Sequence, residues 1–308
     1  MYKQPMVSVV LGSYNRYHYL SLAIESIRRE LTDVLHEIIV VDGGSDDGAL
    51  VWLAQQKDII TIVQHNRGEW LGKAMRRRSW GYFMNLGFKC AQGRYICMLS
   101  DDCLVVPGAI NNGISLFDKE LAGGRKLGAL AFYWRDWSKD ETYHVGYTLG
   151  EKLYVNHGMF LREALHDVGY VDEETCFFYD GDGDLCLKLW QQGYDVLEAP
   201  DSYIEHYPHA NVAVRKTNYD RQRQDLKNYL RKWTGVFYDP RLNNLGKVQV
   251  KIFADVHKTA CLFETLHQDV VQANPQLVKE KTALGKLYQR GIWVAHAIKR
   301  KIYSVFIR

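Results

Sequence analysis

Two acidic clusters carry most of the chemistry this chain can offer. The first lies in Tyr95–Ile110, YICMLSDDCLVVPGAI, where an apolar run ends abruptly in Asp101 and Asp102, shortly before Pro107-Gly108. Paired carboxylates at the end of a buried strand are costly unless a cation sits between them, so a bound divalent metal is the simplest explanation. The second cluster is Asp180-Gly181-Asp182-Gly183-Asp184. Its alternate aspartates suggest a calcium loop at first, but the sixth position is Leu185 where an EF-hand needs Gly, and the twelfth is Gln191 where it needs Glu. Capping is the plainer reading, since Asp182 or Asp184 before Leu185–Gln192 would satisfy free helix N–H groups.

The elements that must position these acids alternate. Met6–Gly12 is a β-branched run stopping at Gly12-Ser13-Tyr14-Asn15-Arg16, followed by helical spacing at Tyr19, Leu20, Leu22, Ala23 and Ile27. Glu37–Val41 is a second strand, ended by Asp42-Gly43-Gly44-Ser45-Asp46-Asp47-Gly48. A short helix (Ala49–Gln55), a third strand (Ile59–Gln64), a helix at Trp80–Ala91 and a strand at Arg94–Leu99 follow. This order predicts a parallel, doubly wound sheet with its ligands beyond the carboxyl ends of the strands, where Gly12–Arg16, Asp42–Gly48 and Asp101-Asp102 all fall. Beyond Pro107, strands are expected at Gly128–Arg135 and Lys152–Phe160 around a polar, aromatic loop, Asp136–His144. A short helix is expected at Leu185–Gln192, and Tyr203–His206 closes the core at about residue 210. The last third reads as mostly helical, with a break at Asn274-Pro275.

Composition narrows the class. A chain of 308 residues with 47% hydrophobic content can bury one large α/β core with a helical appendage, and a formal charge of +3 does not make nucleic acid the default partner. The first residues hold too short an apolar run for a signal peptide or membrane span, so a cytoplasmic protein is expected. The six cysteines form no C-x-x-C pair and are expected to be reduced. From Lys281 onward there are seven Lys or Arg and no acid, with Leu284, Leu287, Ile292, Ala295, Ile298, Ile302 and Val305 at helical spacing. That pattern fits an amphipathic helix at the inner face of an anionic membrane, or equally a stripe packed on protein.

No G-x-G-x-x-G follows the first strand and no P-loop occurs, so dinucleotide and Walker-type sites are not supported. Tyr14 can stack on a base and Asp42 can accept from a base N–H, although both also suit ordinary turns. Arg76-Arg77-Arg78 can pair with a diphosphate or an anionic acceptor, or form a solvated helix face. Trp134, Trp137 and Tyr143 can stack on sugar faces or pack in the core.

Five short motifs in order, Ser13-Tyr14-Asn15-Arg16, Val41-Asp42-Gly43-Gly44-Ser45, Asn85-Leu86-Gly87, Ala91-Gln92-Gly93 and Ser100-Asp101-Asp102, resemble those of family 2 glycosyltransferases with the A-type (GT-A) fold. The resemblance covers roughly residues 6–209. It departs at Gly43, where the family has a second acid, at Ser100, the first acid of Asp-x-Asp, and in an inserted stretch, Glu69–Trp80. It implies a Rossmann-like GT-A nucleotide-diphospho-sugar transferase fold over residues 1–210, with a nucleotide-sugar half (1–110) and an acceptor half (111–210), before a helical extension at 211–308. By the same resemblance Ser13, Tyr14, Asn15, Arg16, Asp42, Asn85 and Asp101 hold the nucleotide-sugar. Asp102 binds Mg²⁺ or Mn²⁺, and His206 is a second ligand, with His209 or a purely structural histidine as alternatives. The family's Glu-Asp-x-Asp-Leu falls on Gly181–Leu185, which makes Asp182 the catalytic base, Asp180 its rival and Asp184 the cap.

The expected activity is therefore inverting, metal-dependent transfer of a sugar from a nucleoside-diphosphate sugar to a hydroxyl of a glycan or lipid-linked acceptor, as in polysaccharide biosynthesis. The alternatives are a non-catalytic nucleotide-sugar or glycan-binding relative and, third, a nucleotidyltransferase, which would need a phosphate loop that Ser13-Tyr14-Asn15 does not provide.

Overall fold

A computed structural model describes residues 4–136, 142–207, 212–242 and 248–251. Trp137, His209, Cys261 and the basic segment 281–308 lie outside the described residues. In chain order the elements begin β1 (Val7–Ser13), α1 (Tyr17–Glu30), β2 (His36–Asp42), α2 (Ala49–Leu53), β3 (Ile59–Val63), β4 (Glu69–Trp70), β5 (Lys73–Ala74), α3 (Trp80–Cys90), β6 (Tyr95–Ser100) and β7 (Cys103–Val105). They continue α4 (Ala109–Ala122), β8 (Leu127–Asp136), β9 (Tyr143–Gly146), β10 (Gly158–Leu161), α5 (Arg162–Asp167), α6 (Gly181–Gln191), β11 (Asp195–His206), α7 (Val212–Trp233) and β12 (Val248–Lys251).

The first half follows the alternating pattern. Strands β3, β2, β1 and β6 lie side by side and parallel. Val9–Leu11 and Ile38–Val41 are fully buried, as a strand covered on both faces requires. Beyond β6 the sheet turns mixed. β10 is antiparallel to both β6 and β8, whereas β11 runs parallel to β8 and antiparallel to β7. The parallel sheet expected for the first half is present, and the antiparallel partners of the second half make the whole sheet mixed.

Several elements differ from expectation. The strand expected at Lys152–Phe160 is confined to β10, and the aromatic loop ends in β9. Part of the supposedly helical extension is β12, which pairs with β9 at the sheet edge. Helix α4 has no local side-chain cap; Glu30 at the end of α1 supplies it, accepting from the N–H groups of Gly108 (2.7 Å), Ile110 (3.1 Å) and Asn111 (3.0 Å).

Two of the short motifs are packing devices. A Cβ at Gly87 would stand 2.4 Å from Val10 Cγ1, so this glycine lets α3 lie flat on β1 and β2. At Gly93 a Cβ would stand 2.5 Å from the backbone nitrogen of Ser8, and the Gly93 N–H donates to Ser8 Oγ at 2.7 Å. Backbone cannot yield as a side chain can. Gly93→Ala is expected to lower stability by about 1–3 kcal/mol, read as a lower urea midpoint with unchanged slope.

Candidate active site

Strands β1, β2 and β6 end flush, with Gly12 beside both Val41 and Ser100 in register. That alignment brings the turn after β1 to the acids after β6. Arg16 Nη1 lies 2.7 Å from Asp101 Oδ1 and 2.9 Å from Asp102 Oδ2, with the two carboxylates 3% and 4% exposed. Burial pushes the Asp101 carboxyl above its usual range, and the guanidinium pulls it back. One cation holds both acids at the sheet edge.

His206 arrives by register. It stands opposite Cys103 on β7 and opposite Asp136 on β8. Its Nδ1 is 2.7 Å from Asp136 Oδ1, which turns Nε2 toward Asp102 Oδ1 at 3.5 Å. Two donors about 2.1 Å from one ion and at roughly a right angle to each other lie about 3 Å apart, so Asp102 and His206 fit a shared divalent cation. Cys103 Sγ, His157 and His206 also gather within 4.8 Å. The thiol, however, lies 3.8 and 3.6 Å from the two ring nitrogens of His157, nearly equidistant, so it points along neither lone pair. Burial lowers the His157 imidazole to about 3, which keeps it neutral. The carboxylate-imidazole pair is the better place for a hard cation.

A cavity of about 200 Å³ opens beside this cluster, walled by Ser13, Tyr14, Arg16, Asp101, Trp80 and Phe178 among others. Three residues expected to hold the nucleotide-sugar stand outside this wall. Asp42 is fully buried, accepting from Gly44 N (2.8 Å), Ser45 N (2.7 Å) and Ser45 Oγ (2.7 Å), while its neighbours Val41 and Gly43 form the wall. Its carboxylate shapes the turn. Asn15, at φ +52°, accepts from Asp46 N at 2.9 Å and braces the two loops. Asn85 sits within α3 and ties it to Val171, donating to its carbonyl at 2.9 Å and accepting from its N–H at 3.0 Å, with Glu173 at 2.8 Å. Its amide serves the scaffold. Tyr14, by contrast, lies against Gly43 with Arg67 5.0 Å above its ring, so an aromatic face and a guanidinium adjoin where the acid is missing.

Asp180 and Asp182 follow Phe177 and Phe178 directly into α6. Asp182 Oδ1 accepts from Gly183 N at 2.8 Å, yet burial pushes its carboxyl up to about 6. Asp180 rises further, to about 7, through burial and the charges of Asp182 and Asp225. Both remain proton acceptors near neutrality. Asp184 is not the cap: it is buried inside the first turn, held by Lys232 Nζ and Trp233 Nε1, both at 2.8 Å. Those partners come from α7 and could not be read locally.

Residues 8–161 match the model of Glycosyl transferase family 2. The chain belongs to this family. It is 24% identical over 269 residues to an uncharacterized protein, y4gI, of Sinorhizobium fredii, covering 78% of this chain and 29% of that one. An uncharacterized glycosyltransferase of Rickettsia prowazekii is 27% identical over 115 residues, 37% of this chain and 33% of its own. The chain thus spans a third or less of the length of these curated relatives. In fold it resembles a mannosyltransferase from Pyrobaculum calidifontis solved with GDP-Man and Mn²⁺, at a TM-score of 0.53 and 16% identity, covering 98% of this chain and 84% of that one. It also resembles residues 1–349 of S. aureus TarS solved with UDP-GlcNAc, at 0.50 and 16%, covering 73% and 66%. The architecture is that of GT-A glycosyltransferases.

This family 2 chain adds a clamp that sequence reading missed. Asp225 of α7 is buried and accepts from the N–H groups of Phe177 (2.8 Å), Phe178 (2.9 Å) and Tyr179 (3.0 Å), the segment running into Asp180. Lys232 bridges Asp184 to Asp172 at 2.8 and 2.7 Å. Tyr229 lies against Gly183 and bonds Thr148 at 2.5 Å. Among the other expected aromatics, Tyr143 is buried on Glu205, whereas Trp134 sits among His144, His157 and His206. Asp225→Asn replaces an acceptor of three N–H bonds with one carrying a single oxygen. A loss of about 1–3 kcal/mol in stability is expected, together with a lower kcat and a nearly unchanged donor KM in steady-state kinetics.

Proposed function

We propose that this protein is an inverting, divalent-cation-dependent glycosyltransferase that moves a sugar from a nucleoside-diphosphate sugar to a hydroxyl of a glycan or lipid-linked acceptor. The observation that carries this reading is the pairing of the acids: Asp101 and Asp102 share the Arg16 guanidinium beside His206, whereas Asp182, raised toward neutrality like Asp101, makes no ion pair among the described residues. Family membership and the two nucleotide-sugar complexes of the same fold support the donor class.

In this mechanism Asp182 takes the proton of the acceptor hydroxyl as that oxygen bonds to the anomeric carbon. The bond to the leaving nucleoside diphosphate breaks on the opposite face, which inverts the centre. Tyr14 stacks on the base, Ser13 and Asp101 lie along the ribose and sugar, and Arg16 keeps the carboxylates oriented. Asp102 and His206 would hold Mg²⁺ or Mn²⁺, which when bound neutralises charge building on the leaving diphosphate. Arg16 already engages one oxygen of each carboxylate, which leaves few protein ligands for a dication. The diphosphate is needed to complete the site. Transfer to a lipid-linked acceptor would place the enzyme at the inner face of the membrane through segment 281–308; among the described residues no helix is long and apolar enough to cross a membrane.

Asp102→Ala is expected to abolish transfer and the metal-dependent gain in nucleoside-diphosphate affinity without unfolding the protein, with Asp101→Ala milder. Full wild-type activity in excess chelator would refute the metal's role. Asp182→Asn should lower kcat by about 10²–10⁴ while donor binding persists, and Asp180→Asn should not; the reverse result would transfer the base to Asp180. Because the base works ionised, kcat/KM should fall as pH drops through about 6, well above the ~4 of an exposed aspartate. A limb near 4 in the pH-rate profile would contradict Asp182 as the base.

A further inference from the structure

Two arginines near the cavity have no role in the mechanism above. Arg77, in the inserted stretch before α3, has its guanidinium centre 5.2 Å from the centroid of the Phe177 ring. Arg221, on α7, lies 4.8 Å from the centroid of the same ring. The two charges therefore stand within about a Debye length of each other, ~8–10 Å. No carboxylate among the described residues lies within 4.0 Å of either. Arg77 donates through Nη2 to Asn218 Oδ1 at 3.0 Å, and its buried Nε has no hydrogen-bond partner among the described residues. Burial and the nearby charges of Arg67 and Arg221 make its protonated form less favourable than usual.

Like charges gathered around one ring, with a buried donor unused, are stable together when an anion joins them. We infer that Arg77 and Arg221, seated on Phe177, form a subsite for a phosphoryl group carried by the acceptor.

This inference rests on the glycosyl-transfer reading and names the acceptor's chemical class. Place favours the acceptor over the donor diphosphate. The diphosphate belongs with Asp101, Asp102 and Arg16 at the ends of β1 and β6. Phe177 and Arg77 line the same cavity as Arg16 and Asp101, but Phe177 also begins the segment that runs through Asp180 to Asp182, where the acceptor hydroxyl must lose its proton. Both arginines come from parts added to the parallel core: the inserted stretch and α7. Their guanidinium forks suit the oxygens of a phosphate monoester or diester.

The test is calorimetric titration of inorganic phosphate into the full chain, alone and with saturating UDP or GDP plus Mn²⁺. The nucleotide closes the donor's own phosphate site. Phosphate should bind the nucleotide-loaded protein, and Arg77→Gln with Arg221→Gln should weaken that binding at least about tenfold, the scale of one charge-assisted hydrogen bond. Nucleotide affinity should stay within about twofold on the same scale, and thermal unfolding should be unchanged. Paired Arg→Lys changes should retain part of the binding.

Phosphate binding unaffected by the double Gln variant would overturn the subsite. So would absence of phosphate binding to the loaded protein, or an equal loss of nucleotide affinity, which would give the arginines to the donor. If neither nucleotide binds, the transfer reading fails, while the titration without nucleotide still decides whether the arginine pair takes phosphate.

Discussion

Two adjacent, nearly inaccessible carboxylates joined to one guanidinium form the interaction on which the rest of the site depends. Without Arg16, Asp101 and Asp102 would repel each other in a poorly hydrated corner. The guanidinium offsets that repulsion and fixes both acids at the sheet edge. The pairing is possible only because β1 and β6 are neighbours in register, so a turn near residue 16 meets acids near residue 101. Everything that keeps those strands aligned, including the close approaches at Gly87 and Gly93, supports the charge cluster indirectly.

The second half of the molecule works by the same rule of fixed register. His206 faces Asp102 because β11 pairs with β7 on one side and β8 on the other, and Asp136 orients its ring. Glu205, next in the strand, is buried and bound by Arg135 and Tyr143, anchoring the strand end that carries the histidine. Asp182 has no such strand. Its segment is held by Asp225, while Lys232 and Trp233 lock the following turn through Asp184. Helix α7 thus acts as a brace for the proposed base.

The five short motifs divide on inspection of their contacts. Tyr14, Arg16, Asp101 and Asp102 face the cavity or its charged edge. Asp42, Asn15, Asn85, Gly87 and Gly93 mainly hold turns and helices in place. A motif in sequence does not separate these roles, because a carboxylate that shapes its own turn and one that contacts a ligand occupy the same position relative to the strand. At Asp42, Gly44 and Ser45 donate to both oxygens, so the carboxylate holds its own turn.

What the sequence alone determined is local in origin. Continuous apolar runs ending in turn residues specified β1, β2, β3 and β6 and their shared functional edge, and the acids at 101–102 and 180–184 marked where charge is concentrated. Helix α4 escaped notice because its cap, Glu30, is supplied from another helix. The mixed second half, the pairing of His206 with Asp102, the bracing of Asp184 by Lys232 and the meeting of Arg77 with Arg221 on Phe177 were decided by tertiary structure alone. Periodicity reports which face of an element is buried; it contains nothing about which distant side chain lies opposite, and side chains here meet across long separations in the chain, such as the 144 residues between Arg77 and Arg221 on Phe177.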